Sequence, residues 1–177
     1  MGEDTDTPAA RLRLLQEEFV TPRRGGRAER SAPTATAISP AALHVIDLMD
    51  ASVDEVISHT RAVAPDAGPI PARRHDIYDW AVEATPNLDA ERRRTRDAMI
   101  YRQSLEHAIA MGDTKVVRTH PCRACGCVGL FWDRTTRTAV CVNQRCTSPK
   151  GLTNTWSLSQ LADDHIRRQE TRRLRAT

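Results

Sequence analysis

Five cysteines lie between positions 122 and 146 of this 177-residue chain, and four of them have the spacing of metal ligands. Cys122, Cys125, Cys141 and Cys146 read C-x2-C-x15-C-x4-C. In the first pair, the glycine that follows Cys125 permits the tight backbone path that brings two sulfurs to about 2.3 Å from one ion. The second pair closes a tetrahedron from another loop. A four-thiolate set predicts a structural Zn2+, because a catalytic zinc keeps an open coordination position and this set leaves none. Cys127 offers an alternative to Cys125, and His120 is close enough in sequence to compete as a ligand. An odd number of cysteines confined to one short segment suits a local metal site in a reducing compartment better than a disulfide framework.

Other chemistry is not signalled. His44, His59, His75, His107 and His165 fall in no H-x3-H or HExxH spacing, and the chain lacks a P-loop, a GxGxxG turn and a GxSxG elbow. No histidine and acid are arranged to activate Cys127, and sulfurs bound to metal are not free nucleophiles. The expectation is a binding protein and not an enzyme, with no small-molecule substrate. Asp47, Asp50 and Asp54 project together from one helix flank, which reads as a solvated acidic face.

Charge supplies the second signal. The formal net charge is +3, but residues 1–112 carry 14 basic and 18 acidic side chains, whereas 113–177 carry 12 and 5. The basic end is the cysteine end, an electrostatic footprint compatible with nucleic acid and also with an acidic protein partner. Its candidate contacts are Arg134 and Arg137 in a hairpin turn, Arg145 and Lys150 beside the second cysteine pair, and Arg167, Arg168, Arg172 and Arg173 near the C-terminus. Arg92, Arg93, Arg94 and Arg96 form another cluster, read as a solvated helix face paired with Asp89, Glu91 and Asp97.

The elements that must position these groups follow from periodicity. Residues 1–20 are expected to form an N-terminal arm with a short helix opened by Pro8, and the breaker-rich stretch 21–38 a flexible linker. A helical domain over 39–112 is expected to be a small antiparallel bundle of three helices. The first starts at Ser39-Pro40 and runs to about Ala64, with Ile46, Met49, Val53, Val56 and Ile57 inward. A short one ends near Thr85, and the third starts at Thr85-Pro86 and ends at Met111, with Gly112 as a left-handed cap. In 113–177, Val128–Trp132 and Thr138–Val142 read as strands joined by a polar turn, with a third strand near Asn154–Ser157. Ser157-Leu-Ser-Gln160 is a capping-box start for a terminal helix that becomes basic. The fold class is therefore α+β. So few large apolar residues (4% aromatic) make the C-terminal module dependent on its metal.

The cysteine pairs flanking a hairpin resemble the zinc-ribbon family over about 35 residues, the second pair departing from the commoner Cys-x2-Cys. Beyond it, Gly-Leu-Phe-Trp132, Ala-Val-Cys-Val-Asn143 and Gly-Leu-Thr-Asn-Thr-Trp-Ser-Leu158 resemble small zinc-ribbon proteins of actinobacterial phages, prophages and mobile elements. Asp89-Ala-Glu-Arg-Arg-Arg94 and Leu105-Glu-His-Ala-Ile-Ala-Met-Gly-Asp113 extend that likeness. The resemblance implies a context and not an activity. No apolar stretch approaches the roughly 20 residues of a spanning helix and the first residues are acidic, so a cytoplasmic protein without membrane contact is expected. Two roles compete: nucleic-acid binding through the basic ribbon and tail, and protein docking or virion assembly with a purely structural ribbon.

Overall fold

The computed structural model describes residues 7–20 and 40–176. The linker expected at 21–38 and the capping role of Ser39 lie outside them. The fold is mixed: the described residues form five α-helices, the last of them C-terminal, and a three-stranded antiparallel sheet beside a cysteine cluster, in two compact units, Met1–Thr85 and Pro86–Thr177. No described helix is long and apolar enough to cross a membrane.

In the first unit, α1 (Pro8–Phe19) starts on the Thr7 hydroxyl, which accepts from the Ala10 N–H at 3.1 Å. Its Leu12 and Leu15 are fully buried, and the helix packs on α2 (Pro40–Val63) and α3 (Ile77–Glu83). The buried stripe of α2 is Val45, Met49, Ser52, Val56 and Thr60, so two hydroxyls share the core with the apolar residues; Ile46, Val53 and Ile57, expected inward, are only half-buried. Ser52 satisfies its hydroxyl on the Leu48 carbonyl at 2.8 Å, which lets a polar side chain be buried inside a helix at only a small cost to the helix itself. Of the three aspartates on its flank, Asp50 is drawn into an ion pair with Arg74 at 2.6 Å, while Asp47 and Asp54 stay exposed. The end of α2 is closed by the Arg61 guanidinium, which donates to the carbonyls of Ala67 and Gly68 and lies 5.5 Å from the Trp80 ring centroid.

The second unit corrects the expected helix start at Thr85-Pro86. Here α4 spans Ala90–Ala110, and its cap is Asp89, whose carboxylate accepts from the Arg92 N–H at 2.8 Å. The Thr85 hydroxyl is spent on the Ala81 carbonyl at 2.6 Å, closing α3 instead. Gly112 ends the helix with φ +89°, a left-handed conformation. The bundle expected from α2, α3 and α4 is divided. Helices α2 and α3 pack with α1, whereas α4 packs against α5 (Leu158–Ala176). The reason lies in α5, whose Leu158, Leu161, Ala162 and Ile166 bury one face; a module this small needs a second helix to cover it. Arg96, expected on the solvated side of α4, is only 6% exposed and pairs with Asp97 at 2.8 Å.

Three strands form where they are expected, each shorter, and the first starts at Phe131 instead of Val128. Strands β1 (Phe131–Asp133), β2 (Thr138–Val140) and β3 (Thr155–Trp156) are consecutive neighbours, with Trp132 opposite Ala139 and Ala139 opposite Trp156. The β1–β2 turn is held by Asp133, whose carboxylate accepts from the Thr135 N–H and the Thr136 hydroxyl. The Ser157–Gln160 capping box forms as read, each side chain bonding the other's backbone N–H at 2.9 and 3.2 Å. Leu105 of α4, Leu130, Ala139 and Leu161 make one core with Cys122, Cys141 and Cys146, against which Tyr101, Trp132 and Trp156 pack.

Candidate metal centre

The first cysteine pair sits on a tight loop. The Cys122 N–H donates to the Cys127 carbonyl and the Gly126 N–H to the Cys122 carbonyl, both at 2.8 Å, and Gly126 takes φ +73°, which a side chain would resist. Cys141 follows β2 directly, its N–H donating to the Asn154 carbonyl at 3.1 Å. The long x4 spacing before Cys146 is resolved by Asn143. Its carbonyl accepts from the Cys146 N–H at 2.8 Å and its side-chain oxygen from the Arg145 N–H at 3.0 Å. Asn143 thus occupies the turn position that the first cysteine of a Cys-x2-Cys loop would take, and Cys141 reaches the site from the strand end.

The four sulfurs of Cys122, Cys125, Cys141 and Cys146 all lie within 4.8 Å of one another, a cluster able to hold a metal ion. The Cys122–Cys146 and Cys125–Cys141 separations are both 3.7 Å. For a metal–sulfur distance of about 2.3 Å, the edge of a tetrahedron is about 3.8 Å, so these spacings fit one ion at the centre. Cys122, Cys141 and Cys146 are buried and Cys125 is exposed. Cys127 is exposed and outside this cluster, its sulfur 3.7 Å from the Asn143 amide nitrogen. His120 is also outside it, 3.3 Å from the Tyr101 hydroxyl through Nε2.

Electrostatics divide the thiols. The Cys127 backbone N–H, with neighbouring thiols helping, brings Cys125 down to about 6. Burial pushes Cys141 up to about 12. At Cys122 burial raises the thiol, but the N–H groups of Cys125 and Ala124 outweigh it and bring it down. Before an ion enters, the set is therefore only partly ionised at neutral pH, and metal uptake must release protons. Asn154, not foreseen from sequence, donates from its amide to the Cys146 sulfur at 3.2 Å and so supports a ligand from outside the cluster.

The basic candidates fall in different places. Arg134 and Arg137 are exposed in the β1–β2 turn, and Arg145 and Lys150 are exposed between Cys141 and β3. On α5, Arg167 pairs with Asp163 and Arg168 with Asp164, at 3.0 and 2.7 Å. Arg168 and Arg172 line one cavity, while Arg173 lines a separate groove with Arg93 and Arg94 of α4. Arg94 bonds Glu170 of α5 at 2.9 Å, a cross-helix pair that the sequence pattern did not single out.

His120 gives a pH-dependent stability. Its ring is 4% exposed, and burial, with His165 and Arg168 nearby, lowers it from 6.5 to about 4. The unfolded chain binds the proton more readily than the folded one. The contribution is complete above about pH 6.5 and is lost as pH falls through about 4. Urea melts between pH 7 and 4 are expected to show a shallower loss of stability for His120→Gln than for the natural chain; parallel profiles would show that another group carries it.

Comparison with protein-family models, with curated proteins and with solved structures finds no match to this chain.

Proposed function

We propose that residues 113–177 form a zinc ribbon whose Cys122, Cys125, Cys141 and Cys146 hold one structural Zn2+, and that the protein binds nucleic acid non-catalytically through its arginines. The observation that carries the metal reading is the 3.7 Å spacing of opposite sulfurs in a largely buried four-cysteine cluster. All four tetrahedral positions are then filled by thiolates, which suits folding and leaves no place for a reacting water. The nucleic-acid reading is supported by the division of charge: 17 basic against 9 acidic side chains in Pro86–Thr177, and 9 against 14 in Met1–Thr85. Phe131, 45% exposed beside the turn that carries Arg134 and Arg137, adds a ring on which a base can stack. The setting that best fits the resemblance is the host cytoplasm during the life of a phage or mobile element.

Gel-shift titration tests this directly. Binding to DNA or RNA at 50 mM salt is expected to weaken at least tenfold at 200 mM, since even a few phosphate contacts release counterions with a steep salt slope. An absence of binding at low salt would sink the nucleic-acid reading. One observation favours protein docking instead. Phe131 of β1 and Val142 just after β2 are exposed while their neighbours Leu130, Ala139 and Cys141 are buried, so the hairpin and the segment after it present apolar side chains away from the core.

A further inference from the structure

Beside the cysteine cluster, and taking no part in it, the structure gathers one histidine with a second histidine and two arginines that lie more than forty residues further along the sequence. His120 follows the 3-10 turn Thr114–Thr119, and His165, Arg168 and Arg172 come from successive turns of α5. Together with Thr119 and Asp164 they line a cavity of about 160 Å³. At about 30 Å³ for each water, that is room for one tetrahedral oxyanion and its first waters. We propose that this cavity is a binding site for a single phosphate group. The proposal rests on the nucleic-acid reading only where a nucleic acid supplies that phosphate.

The rings are held in place before any ligand arrives. Tyr101 stacks on His165 with centroids 4.0 Å apart and planes at 10°, and meets His120 edge-on at 5.8 Å. The two imidazoles stand 5.6 Å apart. The one carboxylate in the cavity wall is already engaged, since Asp164 lies 2.7 Å from Arg168 and 4.0 Å from Arg123. It neutralises and orients Arg168. Arg172, one turn further along α5, has no acidic partner among the described residues, which leaves a guanidinium facing a cavity lined by imidazoles. A guanidinium fork matches the oxygens of a phosphate, and a neutral imidazole can donate one further N–H. Burial first, and then the charges of Arg172 and Arg168, keep His165 below its ordinary value, so the local field is positive.

The test uses the full-length protein with its metal, at constant pH and matched ionic strength, with inorganic phosphate as the probe and chloride as the control. Histidine-ring NMR signals of His120 and His165 are expected to shift saturably with phosphate and not with chloride. Arg172→Gln is expected to weaken phosphate at least tenfold, and Arg175→Gln, on the same helix but outside the cavity wall, to leave it unchanged. Absent shifts, equal shifts with chloride, or equal losses in the two variants would overturn the proposal. Competition then identifies the source. Displacement of phosphate only by a 5′-phosphorylated oligonucleotide assigns a strand end, displacement also by its 5′-hydroxyl counterpart assigns a backbone phosphate, and displacement by neither assigns a small phosphorylated molecule. Saturable phosphate binding without any gel shift would remove the nucleic-acid reading and keep the cavity.

Discussion

Changing Cys141 to Ser is expected to abolish metal binding and to unfold residues 86–177 while leaving the first unit folded. Native mass spectrometry should find one zinc per chain in the natural protein and none in this variant, and the fluorescence of Trp132 and Trp156 should shift to that of solvated indole. The size of the effect follows from the packing. Cys122, Cys141 and Cys146 are themselves part of the core around Leu105, Leu130 and Leu161, so the metal site and the hydrophobic core are one structure. Structural zinc supplies about 10–16 kcal/mol in small finger peptides, comparable with the roughly 5–15 kcal/mol that separates folded from unfolded domains generally. Without the ion, only weak thiol contacts join sulfurs 3.7 Å apart. Cys127→Ser is the informative control, expected to keep one zinc, because that thiol stands outside the cluster. Retention of zinc by Cys125→Ser with loss in Cys127→Ser would exchange the two residues' roles.

The parts of this arrangement that were legible in sequence are those fixed by local chemistry. The cysteine spacing, the glycine at 112, the Ser157–Gln160 box and the three short strands all announce themselves within a few residues. What escaped was decided at longer range. Thr85-Pro86 and Asp89 are both credible helix starts, and only the demand of α3 for a closing hydroxyl settles which one α4 uses. An amphipathic stripe says that a helix is covered but not by what, so α4 could be grouped with the helices before it when its partner is α5. Its interior also departs from the apolar pattern, with Gln103, Ser104 and His107 buried next to Leu105 and Ala108. Among the site residues, Asn143 was hidden by the x4 spacing, and the signal that could have found it is that Asn143 and Cys146 are themselves separated by two residues, as in a zinc loop. The pairing of His120 with His165 has no sequence signature, because it arises from the return of α5 over the cysteine segment.

Leu161→Ala should weaken zinc binding although Leu161 is not a ligand and cannot become one. This side chain is 1% exposed and belongs to the core shared with Cys122, Cys141 and Cys146. Truncating a buried leucine removes apolar contact and leaves a cavity, costing about 2–5 kcal/mol. Where binding and folding are a single event, any loss of folding free energy appears in full as a loss of metal affinity. At 1.4 kcal/mol per factor of ten, that is roughly thirtyfold to several thousandfold in apparent Kd. Competition with a chelator of known affinity reads the change. The exposed Leu174, 78% accessible on the same helix, serves as the control, and Leu174→Ala should leave zinc affinity unaltered. An unchanged Kd in Leu161→Ala, with a lowered melting temperature, would mean that the cysteine loops fold around the ion before α5 docks. The metal would then be the nucleus on which the helices assemble, and the sheet and its ligands would form a folding unit separate from the α4–α5 pair.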